Sequence, residues 1–482
     1  MKKTKIICTI GPACDSEEKI KELIENGMDV ARLNLSHRNH SYHQKTINII
    51  RKISKKLDRP IAIIADLQGP KLRLGAFPER VLIKPGSTVI LSSSYEKVNE
   101  KTIKVPIDYS NLHKHIKVKD KIILGDNQIE LEIQALKNQE IICSSLDEGF
   151  MSSNMGFNIS NSSFKVSIPT KKDIKDIKFG IKNNVDFIAL SFVTSEKDLI
   201  VLKKIIKKEQ GKKELEPIKI IAKIERRMAV ENIDKIINEA DAIMVARGDL
   251  GIEMPIEKVP LIQKTIIQKC LIQAKPVIVA TQMLSSMENK SSPTRAETSD
   301  VANAVIDQAD ALMLSEETAI GKYPIKAVKV MVKIINQTEK FEEEHFLKKL
   351  TLRSEEKQIM SIDDSVIFSL NLISQKIKAK LILVISLTGH TGRIVSRFRL
   401  RIPLFVFTCS QRISRQLNLN WGLFPLATSN DNLCDPAEKN KKEVIDDFLK
   451  KGILKKGDAI LIVGRNDRQH LNSIDWIEIK HV

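Results

Sequence analysis

No apolar run in these 482 residues approaches the roughly 18 needed to cross a bilayer as a helix; Leu381–Ile385 is among the longest. A helical membrane protein is thereby excluded. The amino-terminal stretch MKKTKIICTIGPAC resembles a secretion signal only superficially. Its apolar part is short and is broken by Gly11–Pro12, so it reads as a buried strand. Aromatic residues are scarce, at two Trp, four Tyr and fifteen Phe. None interleaves with a basic run, so the chain lacks the stacking platform of a single-strand nucleic-acid binder. The six cysteines show no C-x-x-C spacing and no framework pattern. This excludes a disulfide scaffold and fits free thiols in a reducing cytoplasm. Internal repeats and low-complexity tracts are also missing.

What is present is an ordinary globular composition, 42% apolar and 29% charged. At about 150 residues per domain the length suggests three domains, large enough to fold without staples. The net charge of +18 comes from lysines spread along the whole chain rather than from a patch. It reads as compositional drift that helps to attract anionic substrates, with no nucleic-acid partner. A protein that retains RNA through phosphate contacts stays open as the non-enzymatic alternative.

The first 72 residues alternate strand and helix. Ile6–Ile10, Val30–Leu35 and Ile61–Leu67 read as strands, with helices after an Asp15/Glu18 capping box and over about His43–Lys56. Turn signals at Lys84–Gly86 and Gly125–Asn127 then punctuate short strands Val89–Leu91, Ile122–Leu124, Ile129–Ile133 and Ile141–Cys143. From Asp173 the α/β alternation resumes, with strands at Phe187–Phe192, Ile218–Ile224, Ala242–Val245, Val277–Ala280 and Ala311–Leu314. Eight βα units predict a TIM (β/α)8 barrel, residues 1–73 and 169–345, with an all-β lid domain, 74–168, inserted after strand three. Residues 346–360 read as a linker. Residues 361–482 read as a C-terminal open-sheet α/β domain with strands Leu381–Ile385, Leu404–Phe407, Ala459–Val463 and Trp476–Lys480.

In such a barrel the polar residues at the C-terminal strand ends carry the chemistry. Strand two ends in Arg32, Asn34, Ser36 and His37; strand three in Asp66, then Gln68, Lys71 and Arg73. Strand five ends in Lys223 and Glu225, strand six in Arg247, Gly248 and Asp249, strand seven in Thr281, and strand eight in Ser315. Alternation puts Lys223 and Glu225 on one face of their strand. Glu225 and Asp249 supply two hard oxygen ligands, the usual protein share of a Mg²⁺ site. His40, His43, His113 and His115 read as surface residues, and Met283 and Met287 as packing. The loop Ser386–Arg393, with Thr388 and Thr391, is a candidate phosphate cradle before a helix.

The segments CTIGPA, GMDVARLNLSH, DLQGPKLR, AKIE, IMVARGDLGIE, VIVATQMLSSM, PTRAETSDVANAV and ALMLSEETAIGKYP occur in that order. By these motifs the chain closely resembles the pyruvate kinase family. The resemblance runs from residue 5 to the C-terminus and is weakest after 420. It implies Mg²⁺-dependent phosphoryl transfer from phosphoenolpyruvate to ADP, the last step of glycolysis, by a cytoplasmic homotetramer in which Mn²⁺ can substitute. Lys223 and Arg32 then correspond to the cations on the transferring phosphoryl group, and Glu225 and Asp249 to the metal ligands. Gly248, Asp249 and Thr281 correspond to the substrate-carboxylate positions. His37, Arg73, Lys172 and Asn34 fall on the nucleotide side. Asn34, Ser36, Asp66 and the Leu67 carbonyl correspond to the monovalent-cation site. Thr281 and Ser315 are placed to order the water that protonates the enolate.

Four features depart from the family pattern. Lys71 stands where potassium-requiring members carry Glu, so no K⁺ requirement is expected. Leu67 and Gln68 replace Thr and Lys, Glu316 stands where many members have Gly, and VGRNDRQH lacks the loop of members activated by sugar bisphosphates. The expected effector is a phosphorylated sugar held by Ser386, Thr388, Thr391 and Arg393. A metal-dependent carbon–carbon lyase on the same barrel is the competing enzyme class; the insertion 74–168, flanked by Arg73 and Lys172, favours the kinase.

Overall fold

The computed structural model describes residues 1–70, 72–99, 101–108, 112–125, 129–160, 168–211, 216–345, 362–427, 438–464, 474 and 476–482. Eight parallel strands close into a barrel: β1 Lys5–Thr9, β2 Val30–Asn34, β3 Ala62–Asp66, β4 Phe187–Leu190, β5 Lys219–Ile224, β6 Ala242–Ala246, β7 Val277–Ala280 and β8 Ala311–Leu314. Each pairs with its neighbours in sequence, and β1 closes on β8 with Lys5 opposite Ala311. The predicted strands are all present, several a residue or two shorter. β4 stops at Leu190 because Phe192 turns into the left-handed region at φ 59°.

Alternation along each strand separates two cores. Ile7, Val30, Ile64, Ala189, Ile221 and Met313 fill the barrel interior. Ala31, Leu33, Ala65, Leu190, Ala222 and Ile224 face outward, in the core shared with the surrounding helices. One step of two residues above the interior layer brings Thr9, Arg32, Asp66, Ser191, Lys223 and Ser315 to the barrel mouth. The fold therefore turns the C-terminal strand ends into a polar ring over an apolar plug.

Between β3 and β4 lies an eight-stranded sheet in the order Leu72–Arg73, Gly156–Ser160, Lys121–Leu124, Ile129–Lys137, Glu140–Ser145, Thr88–Ser92, Thr102–Pro106, Glu96–Lys97. It has its own apolar core, including Leu91, Val105, Leu131 and Phe157. The C-terminal sheet runs Leu423–Ala427, Leu404–Thr408, Ile382–Ile385, Ala459–Gly464, Trp476–His481, with only the last strand antiparallel. The strand Leu423–Ala427 was not foreseen, because Pro425 interrupts a pattern that β propensity alone does not favour. Leu419, just before it, enters the interior cluster at the N-terminal end of the barrel.

Three local expectations are corrected. The first helix, Glu17–Glu25, is capped by Ser16, whose side chain accepts from Lys19 N; Asp15 instead accepts from the Tyr42 hydroxyl at 2.8 Å. His43 is 3% exposed, not a surface residue, because it faces inward from helix His40–Lys56. Cys8, Cys14, Cys143 and Cys270 are free and buried, but Cys409 is disulfide-bonded, so the thiols are not all free. Burial lowers the pKa of the Arg393 guanidinium, and the Asp241 carboxylate opposes that fall. The linker 346–360 lies outside the described residues, as does Lys71. Among the described residues no helix is long and apolar enough to cross a membrane.

Candidate active site

The mouth of the barrel is organised around Asp66, the last residue of β3. Its neighbours in register are Asn34 on β2 and Ala189 on β4. The carboxylate is 1% exposed, and two cations converge on it. Arg32 Nε lies 2.6 Å from Oδ2, and Lys223 Nζ lies 3.2 Å from Oδ1 without a well-aligned hydrogen bond. Burial alone would raise the Asp66 pKa; Lys223 and then Arg32 outweigh it and hold the group below the usual carboxylate range. Arg32 also donates through Nη1 to Thr9 Oγ1 at 3.0 Å.

Lys223 is 9% exposed and has three partners. Nζ lies 2.8 Å from Glu225 Oε1, donates to Ser191 Oγ at 2.7 Å, and faces Asp66. Burial pulls the ammonium's pKa down, but Asp66 and Glu225 more than reverse this and hold it above the ordinary lysine range. The lysine stays charged because two buried carboxylates replace the water it has lost. Ser191 in turn donates to the Leu67 carbonyl at 2.7 Å, tying the loop after β3 to the end of β4. Gly69 makes that approach possible. A Cβ there would lie 2.8 Å from the Phe192 ring and 3.0 Å from Ser191 Cβ, and its φ is +68°.

Glu225 accepts the Phe192 N–H at 2.6 Å, a bond that the left-handed backbone of Phe192 aims. Its pKa is raised, chiefly by burial; Lys223 opposes the rise, while the like charge of Asp249 adds to it. Two carboxylates at one mouth that disfavour each other's charge suit a hard divalent cation. Among the described residues no three His, Cys, Asp or Glu side chains are gathered into a metal cage. Glu225 and Asp249 offer two hard oxygen donors, and a pair of carboxylates suits Mg²⁺.

Asp249 and Gly248 belong to helix Arg247–Glu253, which starts where β6 ends. Gly248 N–H donates to Thr281 Oγ1 at 2.9 Å, and Thr281 Oγ1 donates to the Ala280 carbonyl at 2.6 Å. Thr281 and Gln282 both sit at positive φ, 67° and 54°. A β-branched residue in that region is strained, and such strain collects at working sites. Arg247 holds the turn in place. Its guanidinium binds the Thr281 carbonyl at 2.7 Å and Asp300 Oδ1 at 2.7 Å. Ser315 is buried, and its N–H donates to Glu317 Oε2 at 2.6 Å.

The residues expected on the nucleotide side make the following contacts. Asn34 Oδ1 accepts from Ser36 N at 3.1 Å. Lys172 Nζ binds the Leu35 carbonyl at 2.7 Å and Asp176 Oδ2 at 2.6 Å. His37 is exposed, and Arg73 reaches the Asn154 carbonyl at 3.1 Å within the lid. The loop expected to cradle an effector phosphate is less coherent. Ser386 and Thr391 are buried and Thr388 is exposed, while Arg393 reaches only the Thr388 carbonyl, at 3.4 Å. Sequence reasoning missed Ser191, Thr9 and Phe192. The first two could have been found as small hydroxyls at the ends of β4 and β1; Phe192 acts through its backbone and leaves no side-chain signal.

Residues 1–328 match the family model described as pyruvate kinase, barrel domain, and residues 364–480 match pyruvate kinase, alpha/beta domain. A pyruvate kinase of Thermococcus litoralis is 40% identical over 468 residues, covering 95% of this chain and 94% of the relative. One of Clostridium acetobutylicum is 37% identical over 463 residues, covering 96% of each chain. The crystal structure of a pyruvate kinase from Cryptosporidium parvum superposes with a TM-score of 0.89 at 33% identity, covering 100% of this chain and 96% of that one.

Proposed function

The chain belongs to the pyruvate kinase family, and from that premise we propose how its residues divide the work of the reaction. The enzyme is a phosphotransferase that moves the phosphoryl group of phosphoenolpyruvate to ADP, giving pyruvate and ATP. Transfer of this kind asks the protein for in-line positioning and positive charge on the equatorial oxygens, with little covalent chemistry. Arg32 and Lys223 supply that charge. Their shared counter-ion, Asp66, holds both side chains in place before substrate arrives, so no reorganisation is needed during transfer. This shared pairing is the observation that carries the reading.

Glu225 and Asp249 would hold the divalent cation, Mg²⁺ or in its place Mn²⁺, which would supply positive charge to the phosphoryl oxygens. Gly248 N–H and the Thr281 hydroxyl, already within 2.9 Å of one another, turn to the substrate carboxylate. Thr281 and Ser315 order the water that protonates the enolate carbon. Asn34, His37, Arg73 and Lys172 take the nucleotide under the lid. Asn34, Ser36, Asp66 and Leu67 form the monovalent-cation position, and a Lys at sequence position 71, where potassium-requiring members carry Glu, removes the need for K⁺. Ser386, Thr388, Thr391 and Arg393 make up the candidate site for an effector phosphate. The cytoplasmic setting and the homotetramer rest on the family resemblance.

The test is pyruvate release from phosphoenolpyruvate in a coupled assay, with ADP and Mg²⁺ each omitted in turn. ADP-dependent turnover in the wild type, reduced at least ~10²-fold in kcat by Lys223→Met, is expected. Pyruvate formation without ADP, accompanied by release of inorganic phosphate, would mean that water rather than ADP accepts the phosphoryl group. A change confined to KM would make Lys223 a binding residue only.

A further inference from the structure

His43 is a buried histidine that the reaction does not use, on the helix that follows the nucleotide-side turn. Its Nε2 lies 2.9 Å from the His37 carbonyl oxygen. A carbonyl only accepts, so Nε2 carries the hydrogen and the tautomer is fixed. Nδ1 is buried and has no hydrogen-bond partner. A second proton there would be a buried donor with no acceptor. Burial lowers the ring's pKa; the His37 carbonyl and Asp176 oppose that fall, while His40 and Lys172 add to it. The neutral ring therefore acts as a single fixed donor. Tyr42 packs edge-on against it at 5.4 Å and is itself tied to Asp15.

The bond falls at a vulnerable point. Immediately after His37 the chain reverses through Arg38, which sits at φ 64°, a region that side-chain-bearing residues seldom adopt. His37 N–H donates to the Asn34 carbonyl at 3.3 Å. Two side chains hold the carbonyls of this turn. Lys172 holds that of Leu35 from the helix Lys171–Lys182, and His43 holds that of His37.

We propose that His43 is a positioning residue for the nucleotide: by holding the His37 carbonyl it fixes the turn that presents the His37 side chain to the diphosphate substrate. The proposal rests on the nucleotide-side reading of His37. It separates nucleotide binding, set by this turn, from chemistry at Lys223, which lies on another strand.

Three variants test it, each checked for a cooperative thermal transition. His43→Phe keeps a ring of similar bulk and removes the donor. It should raise the KM for ADP by about three- to tenfold, the range expected for one hydrogen bond. Its kcat and its KM for phosphoenolpyruvate should stay within about twofold of wild type. His43→Gln places an amide nitrogen near the position of Nε2 and should recover most of the loss. His43→Asn is polar but too short to reach the carbonyl and should behave like His43→Phe, which keeps the test decisive if the phenylalanine variant does not fold. His37→Ala serves as the control. A rise in KM for ADP in His37→Ala without one in His43→Phe or His43→Asn overturns the proposal alone. No rise in His37→Ala overturns the reading on which it rests. Equal losses in ADP and phosphoenolpyruvate parameters would make His43 a general packing residue and also overturn it.

Discussion

Arg32 Nε and Asp66 Oδ2, on neighbouring barrel strands, lie 2.6 Å apart, and Lys223 approaches the other oxygen of the same carboxylate. One buried anion thus holds two cations at a distance set by the barrel. Asp66→Asn would leave Arg32 and Lys223 facing each other in a low-dielectric mouth. Breaking a buried pair from one side costs about 3–5 kcal/mol. The expected outcome is a loss of stability of that order in chemical denaturation, with at least a tenfold fall in kcat/KM for phosphoenolpyruvate. A variant with wild-type stability and kinetics would remove Asp66 from the account.

The metal assignment predicts different behaviour at its two carboxylates. Glu225→Gln keeps the Phe192 N–H contact but removes a charge, so the Mg²⁺ concentration for half-maximal activity should rise about tenfold, one charge-assisted contact being worth roughly 1.5–3 kcal/mol. Asp249→Ala should abolish turnover with the fold intact by circular dichroism. Activity of either variant at ordinary Mg²⁺ equal to wild type would defeat the assignment.

Lys5 gives a pH dependence whose sign is opposite to the usual one for lysine. It is 1% exposed at the N-terminal end of the barrel, with Nζ donating to the Leu423 carbonyl at 2.6 Å. Burial lowers its pKa from 10.5 to about 8. Between pH 8 and 10.5 the unfolded chain keeps this proton while the folded chain releases it. The unfolded state therefore binds more protons, and stability rises with pH across that window, by up to about 3 kcal/mol. Below pH 8 both states are charged and this contribution is flat. Thermal midpoints at pH 7.5, 8.5 and 9.5 should show the wild type gaining relative to Lys5→Met as pH rises. A constant difference would mean that Lys5 titrates alike in both states.

Lys71 should make the enzyme independent of K⁺. Two unit charges ~4 Å apart interact by about 4 kcal/mol at an effective dielectric near 20, so an ammonium and K⁺ do not share one pocket. Initial velocities in sodium- and potassium-free buffer, with tetramethylammonium holding ionic strength, should change less than about twofold when K⁺ is added. Lys71→Glu should create a dependence. A tenfold activation of the wild type by K⁺ would reject the substitution.

Strand order, the inserted β sheet and the polar residues at the barrel mouth were legible in the amino-acid sequence because their signals are local. Alternation puts Lys223 and Glu225 on one face whatever the rest of the chain does, and eight strand-and-helix units leave few ways to close. Other features were decided only in three dimensions. Asp66 becomes the anchor of Arg32 and Lys223 because barrel closure sets β2, β3 and β5 around one mouth, which no spacing encodes. Ser191 joins Lys223 to the Leu67 carbonyl because Gly69 lets two loops touch. His43 reads as a surface residue by composition; its burial follows from how helix His40–Lys56 lies on the barrel. Periodicity determines which face a residue occupies. Which partners that face meets depends on contacts between distant segments, and those are set by packing.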